Sequence, residues 1–442
     1  MKLDLPRGMR DLSPEEFYNI SFIEDVFLET TSLFNFKFVE PSPLELVSTL
    51  EAKAGPAISN DVYSFIDKGN RKVALRFDLT IGLSRFVAAR RDLRMPSKIA
   101  SFAGVWRYDE PQAGRYRYFH QWDIEIYGSI NEESEAEVIE FTSIFFKKLG
   151  LKSLIDINNR QVVEEYIKQR LGISDEAVML EMYRAIDKVP KKGAKAVEEE
   201  YRDKIDISKL HSLISLSSNT GSIDSLSSIA DIKELANWNK LVTLSDSLRS
   251  RKVNNVRINL GIVRGLDYYS GTVFEVFDPT LCDMGALVGG GRYDRLTASF
   301  GRKDLGAIGA AGGVERIITA LQKHGLLKQG ESQRKEKKSV YVAYLSDKAR
   351  SKAIEIVSDL RNNEIIAEYD FQDRSLRKQL EDAYSNNAVF TIIVSDEEYE
   401  RGQTTVRSMN DGCEQKQSLQ HLVENLKEKL KVYTAKPKTQ IQ

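Results

Sequence analysis

Apolar and polar positions alternate with period two along VWRYDEPQAGRYRYFHQWDIEIYG, Val105–Gly128. This pattern predicts two strands joined by a polar, arginine-bearing loop. Arg107 and Asp109 fall on alternate positions of the first strand, and Gln121, Asp123 and Glu125 on alternate positions of the second. These five share one face, while Trp106, Tyr108, His120, Trp122, Ile124 and Ile126 point to the other. A hairpin that only packs puts one face in the core and leaves unspecialised charge on the other. Here the polar face joins a fixed cation, a carboxamide and carboxylates, a mixture suited to a small zwitterion beside a polyphosphate.

The same reading extends along the chain. Helical spacing of Phe17, Ile20, Ile23, Val26 and Phe27 predicts a helix from Pro14 to about Leu33. A strand over Phe34–Val39 halts at Pro41. Val73–Thr80 reads as a strand with Leu75, Phe77 and Leu79 on one side and Arg76, Asp78 and Thr80 on the other. Glu132–Leu149 is an amphipathic helix closed by Gly150. From about 160 to 250 helical periodicity dominates, with a serine-rich stretch at 212–230 and no polar constellation, so a helical insertion is expected. Strand patterns return at Val256–Leu260 and Thr272–Phe277. GAIGAAGGVERI, 306–317, lacks the G-x-G-x-x-G spacing of a dinucleotide fingerprint. It reads as a glycine-lined strand entering a helix with Val314, Ile317, Ile318 and Leu321 as its buried stripe. A charged, apolar-free stretch at 331–338 predicts a linker. Beyond it VYVAYL, Ala349–Arg361, FTIIVS and Leu419–Leu430 alternate as strand, helix, strand, helix, a small α/β domain. The last residues, about 434–442, are expected to fray.

The 442 residues are enough for two or three domains with proper cores. A formal charge of −1 excludes a chain-wide basic coat, so any nucleic-acid contact must use local patches. The two cysteines, Cys282 and Cys413, form neither a zinc spacing nor a disulfide framework, which suits a cytosolic compartment. The N-terminus has no apolar signal core, and no run approaches the ~18 apolar residues of a membrane span.

Other segments carry candidate chemistry. VRGLDYY, 263–269, sets an arginine, a glycine and two tyrosines at a turn after an apolar strand. Alone it reads as an ordinary turn; beside the hairpin its guanidinium becomes a fork for phosphate or carboxylate. GGGRYD, 289–294, puts three glycines before Arg292 and Tyr293, either a glycine-rich bulge or a place where a ligand comes close to the backbone. Arg316 falls in a helix's first turn, where a cation opposes the dipole and a nearby anion would account for it. His120 reads as a packed histidine, and Lys191–Lys195 as a solvated face. Arg374, Arg377 and Lys378 fit an RNA patch or a plain helix surface equally well.

Taken together, these segments resemble those of a class II aminoacyl-tRNA synthetase and, within that class, the histidyl-tRNA synthetase family. Arg107, the acidic residue two places on, and R-Y-R-Y-F with Arg115 and Phe119 look like the class's second motif. GVERI with Arg316 looks like the third, and FKFVEPSPLE with Pro41 like the first, a dimer-forming element in the family. VRGLDYY and GGGRYD look like the two histidine-specific motifs. The resemblance implies an α+β fold: an antiparallel-sheet catalytic domain with a helical insertion, plus a C-terminal α/β anticodon-binding domain. The expected boundaries are 1–159 and 251–330 for the catalytic parts, 160–250 for the insertion, 331–338 for the linker and 339–433 for the anticodon-binding domain.

It also implies partners and roles. ATP, taken with Mg²⁺ as a substrate, L-histidine and histidine tRNA are expected, with no tightly bound cofactor or metal site, in a cytoplasmic homodimer. Arg107 and Arg264 would hold the α-phosphate, Phe119 would stack on adenine, and Arg115 and Arg316 would meet the outer phosphates. Asp78 and Thr80 would receive the histidine ammonium and Gln121 its carboxylate side, with Leu79 also among the histidine-binding residues. Glu125 and Tyr269 would bond the imidazole, with Tyr268 and Tyr293 lining the pocket. Asp109 stands where the class often has glutamate, which puts its reach toward adenine in question. Gln112 and Arg117, with Arg115, are candidates for the tRNA acceptor end. A paralogous regulatory subunit of ATP phosphoribosyltransferase would lack an intact RGLDYY and the C-terminal domain. A tRNA sensor fused to a kinase would need a further large domain, and a pure RNA-binding protein would not need the polar pocket.

Overall fold

The computed structural model describes residues 3–54, 58, 60–110, 116–128, 130–263, 269–327 and 338–432. Arg264, Tyr268, Gln112 and Arg115 lie outside them, as do most of the expected linker and the chain's last residues. Two compact units divide at Lys328/Gln329.

In the first unit the strands are β1 (Lys37–Phe38), β2 (Leu44–Leu46), β3 (Ser64–Ile66), β4 (Lys72–Leu75), β5 (Ser97–Trp106), β6 (Tyr118–Gly128), β7 (Leu154–Asn159), β8 (Thr220–Gly221), β9 (Val256–Asn259), β10 (Thr272–Phe277), β11 (Val288–Arg292) and β12 (Gly306–Gly313). A nine-stranded sheet runs β1-β5-β6-β12-β11-β10-β7-β9-β8. Its centre, from β5 to β7, is antiparallel throughout. β2, β4 and β3 form a separate three-stranded sheet.

One face of the large sheet is apolar for the reason the alternation predicts. Trp122, Ile124 and Ile126 of β6, Ile308 and Ala310 of β12 and Phe274 of β10 join one hydrophobic cluster. Helices Pro14–Leu33, Glu132–Lys148 and Val314–Lys323 cover that face, contributing Ile23 and Phe27, Phe141 and Phe145, and Ile317 and Leu321. A Ser13 capping box and Pro14 at the first turn start the first helix where the sequence predicts. The seven helices between Arg160 and Ser250 share this cluster through Val162, Met182, Leu213 and Leu241. The helical stretch is thus packed into the same core as the sheet.

Three expectations need correction. The strand over Phe34–Val39 contracts to Lys37–Phe38. Val73–Thr80 is not one strand: β4 stops at Leu75 and a helix begins at Thr80. The Asp78 carboxylate accepts the amide of Ile81 at 3.1 Å, capping that helix and turning the chain out of the sheet. Arg76 is buried, its guanidinium donating to the carbonyls of Gly104 (2.8 Å) and Pro41 and to Glu40. Finally, β5 ends at Trp106, so Asp109 does not continue it. Arg107 still donates its amide to Arg117, but the amide of Tyr108 goes to Asp61 at 2.9 Å and the chain leaves the ladder.

The second unit is a five-stranded sheet, β14-β13-β15-β16-β17, built from β13 (Ser339–Tyr344), β14 (Ile366–Tyr369), β15 (Ala388–Val394), β16 (Gln403–Ser408) and β17 (Glu414–Ser418). β13 pairs in parallel with β14 and β15, and β16 and β17 add antiparallel. Val340, Val342, Ile356, Leu360, Ile392 and Leu426 form its core. The sequence reading missed β14, β16 and β17, while Arg377 and Lys378 do lie on a helix, Leu376–Ser385. Arg374 is tied to Asp370 at 2.6 Å and to Asp382, a structural role, whereas Arg377 is 89% exposed. Among the described residues no helix is long and apolar enough to cross a membrane.

Candidate functional site

The face of the large sheet opposite the core carries the candidate site. Phe119, Gln121, Asp123 and Glu125 follow each other along β6 with period two. Their neighbours on β5 are Val105, Ala103, Ser101 and Ile99, and on β12 Gly313, Ala311 and Gly309 stand opposite Gln121, Asp123 and Glu125. Ala103, Ser101, Gly313, Ala311 and Gly309 are thus small neighbours of the three polar side chains, which are buried. Gly309 is required there: a Cβ would run into the Glu125 carboxylate and stand 2.7 Å from the carbonyl of Ile124.

Hydrogen bonds weld the polar groups into two sets. In the first, Gln121 donates Nε2 to Asp123 Oδ1 at 2.7 Å, and Thr80 donates Oγ1 to Asp123 Oδ2 at 3.0 Å. Arg107 donates to Gln121 Oε1 at 3.2 Å and to the carbonyl of Phe77 at 3.0 Å. Its guanidinium lies 5.0 Å from the ring centre of Phe119. Arg107, Gln121, Asp123 and Thr80 therefore converge, although three different segments supply them. Leu79 is wholly buried, packed with Ala103, Val105 and Phe119.

The second set lies farther along β6. Tyr293 donates its hydroxyl to Glu125 Oε2, and both are buried. Ser84 Oγ is 3.2 Å from the hydroxyl of Tyr127. Burial, and then the Glu125 carboxylate, push the Tyr127 and Tyr293 phenols well above the ordinary tyrosine range, so both stay protonated. Tyr269 packs against the same cluster as Tyr127 and Tyr293. Glu125, Tyr269 and Tyr293 are thus brought together from strands and turns far apart in sequence.

Two expected ligand-facing arginines have other partners. Arg316 lies in the first turn of helix Val314–Lys323 and donates to the carbonyl of Met284. Arg117 donates to the carbonyls of Asp109 and Arg7, each at 3.1 Å, and stacks over Tyr108 at 4.1 Å. His120 is a packed residue: Glu315 accepts its backbone amide at 3.0 Å and its Nδ1 lies 3.1 Å from the same carboxylate.

The sequence reading placed Asp123 on the face but assigned it no role; its period-two position was the available signal. It also missed Asn158, which donates to the carbonyl of Ile262 at 2.8 Å. Ser84 and Tyr127 were missed because each looks like an ordinary core-helix or strand position.

The family described as Histidyl-tRNA synthetase matches residues 8–317, and the one described as Anticodon binding domain matches residues 339–429. A histidine–tRNA ligase of Pyrococcus furiosus is 33% identical over 431 residues, covering 96% of this chain and 99% of that one. The solved apo histidyl-tRNA synthetase of S. aureus aligns at 25% identity with a TM-score of 0.71, over 96% of this chain and 100% of that chain. That of Nostoc sp. PCC 7120 shares the fold at a TM-score of 0.77 and 23% identity, over 97% and 100%.

Proposed function

This chain belongs to the histidyl-tRNA synthetase family, and on that footing we propose that it activates L-histidine with ATP and transfers the histidyl group to the 3′ end of histidine tRNA. The observation that carries this reading is the joining of the two polar sets on one sheet face. A cation–carboxamide–carboxylate set (Arg107, Gln121, Asp123, Thr80) stands beside a buried carboxylate–phenol pair (Glu125, Tyr293).

The chemistry follows from what each set offers. The histidine carboxylate attacks the α-phosphate of ATP, taken as its Mg²⁺ complex, and pyrophosphate leaves. Such a displacement needs charge stabilisation more than covalent help. Arg107, anchored by Phe77 and Gln121, is a fixed cation for that phosphate, and Arg264 would stand opposite it. Phe119, beneath the Arg107 guanidinium, offers a ring face to adenine, with Asp109, Arg115 and Arg316 toward the rest of the nucleotide. Asp78 and Thr80 would receive the ammonium and Gln121 the carboxylate side. Glu125 with Tyr269, lined by Tyr268 and Tyr293, would bond the imidazole. A site built to hydrogen-bond a ring N–H rejects similarly sized amino acids that lack one, by roughly 10⁴-fold.

Gln112 and Arg117 are assigned to the acceptor end and the second unit to the anticodon. A cytoplasmic homodimer completes the reading. Leu44, Leu46, Phe65 and Ile66 of the three-stranded sheet are exposed apolar side chains that a second copy would cover.

Amino-acid-dependent ATP–pyrophosphate exchange tests this. Exchange with histidine, and only background with a panel of other amino acids, is expected; equal exchange with another amino acid, or none with histidine, would overturn it.

A further inference from the structure

Helix Arg160–Gln169 starts against the backbone of Tyr269 and Ser270. Arg160 donates NH1 to the carbonyl of Tyr269 at 3.1 Å and its amide to the carbonyl of Gly271 at 3.0 Å. Gln161 donates Nε2 to the carbonyl of Ser270 at 3.0 Å. A carboxamide has a donor end and an acceptor end of nearly equal shape, so its neighbours decide which way it turns. Here Lys240, on helix Trp238–Ser250, decides. Its ammonium has donors only and binds Gln161 Oε1, which turns the NH₂ end toward Ser270. Arg160 is braced in turn by Tyr183, whose ring centre lies 4.7 Å from its guanidinium. Arg107 is held from elsewhere, by Phe77 and Gln121.

We infer that Gln161, oriented by Lys240, is a positioning residue for histidine: by holding the Ser270 carbonyl it keeps Tyr269 beside Tyr293 and Glu125. The helical stretch 160–250 thereby contributes to the amino-acid pocket through the backbone of Tyr269 and Ser270. This inference rests on the reading that the Glu125–Tyr269–Tyr293 end of the site binds histidine.

Three full-length variants, Gln161→Leu, Gln161→Glu and Lys240→Met, test it, with KM measured separately for histidine and ATP in pyrophosphate exchange and melting followed in parallel. Gln161→Leu and Lys240→Met should each raise the histidine KM about three- to ten-fold, the worth of one hydrogen bond, and leave the ATP KM unchanged. Gln161→Glu keeps a partner for Lys240 but turns a carboxylate oxygen toward the Ser270 carbonyl. It should raise the histidine KM at least as far as Gln161→Leu. Gln161→Glu behaving like wild type, or equal rises in both KM values, would overturn the inference and leave Gln161 a packing residue. Absence of histidine-dependent exchange in the wild type would instead sink the functional reading itself.

Discussion

The hydroxyl of Tyr293 donates a hydrogen bond to the carboxylate of Glu125, a residue 168 positions away in the chain. Both side chains are almost wholly buried, at 2% and 1% exposure. On the proposed reading the Glu125 carboxylate also accepts the imidazole N–H of histidine. Glu125→Ala should therefore raise the histidine KM by about 100-fold, as expected for losing a hydrogen bond to a charged group, and weaken discrimination against other amino acids. An unchanged histidine KM would show that the imidazole sits elsewhere.

Two glycines on neighbouring strands give a matched pair. Gly309→Ala places a methyl in the Glu125 carboxylate on the site face. Gly290→Ala places one in the Phe274 ring on the core face and 2.6 Å from the carbonyl of Gly309. Each should cost roughly 1–3 kcal/mol of stability by overpacking. Only the first should also raise the histidine KM, which kinetics on both folded variants will read.

Arg107 is held in place by a backbone carbonyl and a buried carboxamide before any ligand arrives. Preorganised charge of this kind acts on the transition state. Arg107→Ala should lower kcat for pyrophosphate exchange by about 10²–10³-fold while histidine binding, followed by calorimetry, changes far less. A proportionate loss of both would mean that Arg107 chiefly holds the pocket together.

Glu135 gives a pH dependence of stability. Burial pushes its carboxyl up to about 7 from 4.5, against the hydrogen bond it accepts from Thr272 at 2.6 Å. Between those values the native state keeps a proton that the unfolded chain has released. Stability from this group therefore falls as pH rises from about 4.5 to about 7, by up to about 3 kcal/mol, and is level above. Glu135→Gln stays neutral and keeps an acceptor for Thr272. Urea unfolding at about pH 5 and about pH 8 should show the variant gaining on the wild type at the higher pH; parallel behaviour would count against the assignment.

Much of the site was legible because it is a local property. The period of two over Phe119–Glu125 places those side chains on one face of any strand the segment forms. The stripe Val314, Ile317, Ile318 and Leu321 likewise specified a helix buried on one side, as found. Local reading failed where another segment competed for the backbone. Asp61 took the amide of Tyr108 and ended β5, and the Asp78 carboxylate took the amide of Ile81 and replaced a strand with a helix start. Strand β16 and the edge strand β17 were invisible because they are largely polar.

The sequence by itself determined which side chains can stand together along one strand or helix, since those spacings are set by backbone geometry alone. Tertiary structure alone decided that Thr80 would meet Asp123, that Tyr293 would meet Glu125, and that Lys240 would turn Gln161 toward Ser270. Those meetings depend on the pairing order of the sheet and on where helices settle against it. The pairing order and helix docking follow from burial of the whole apolar face, which no short segment encodes.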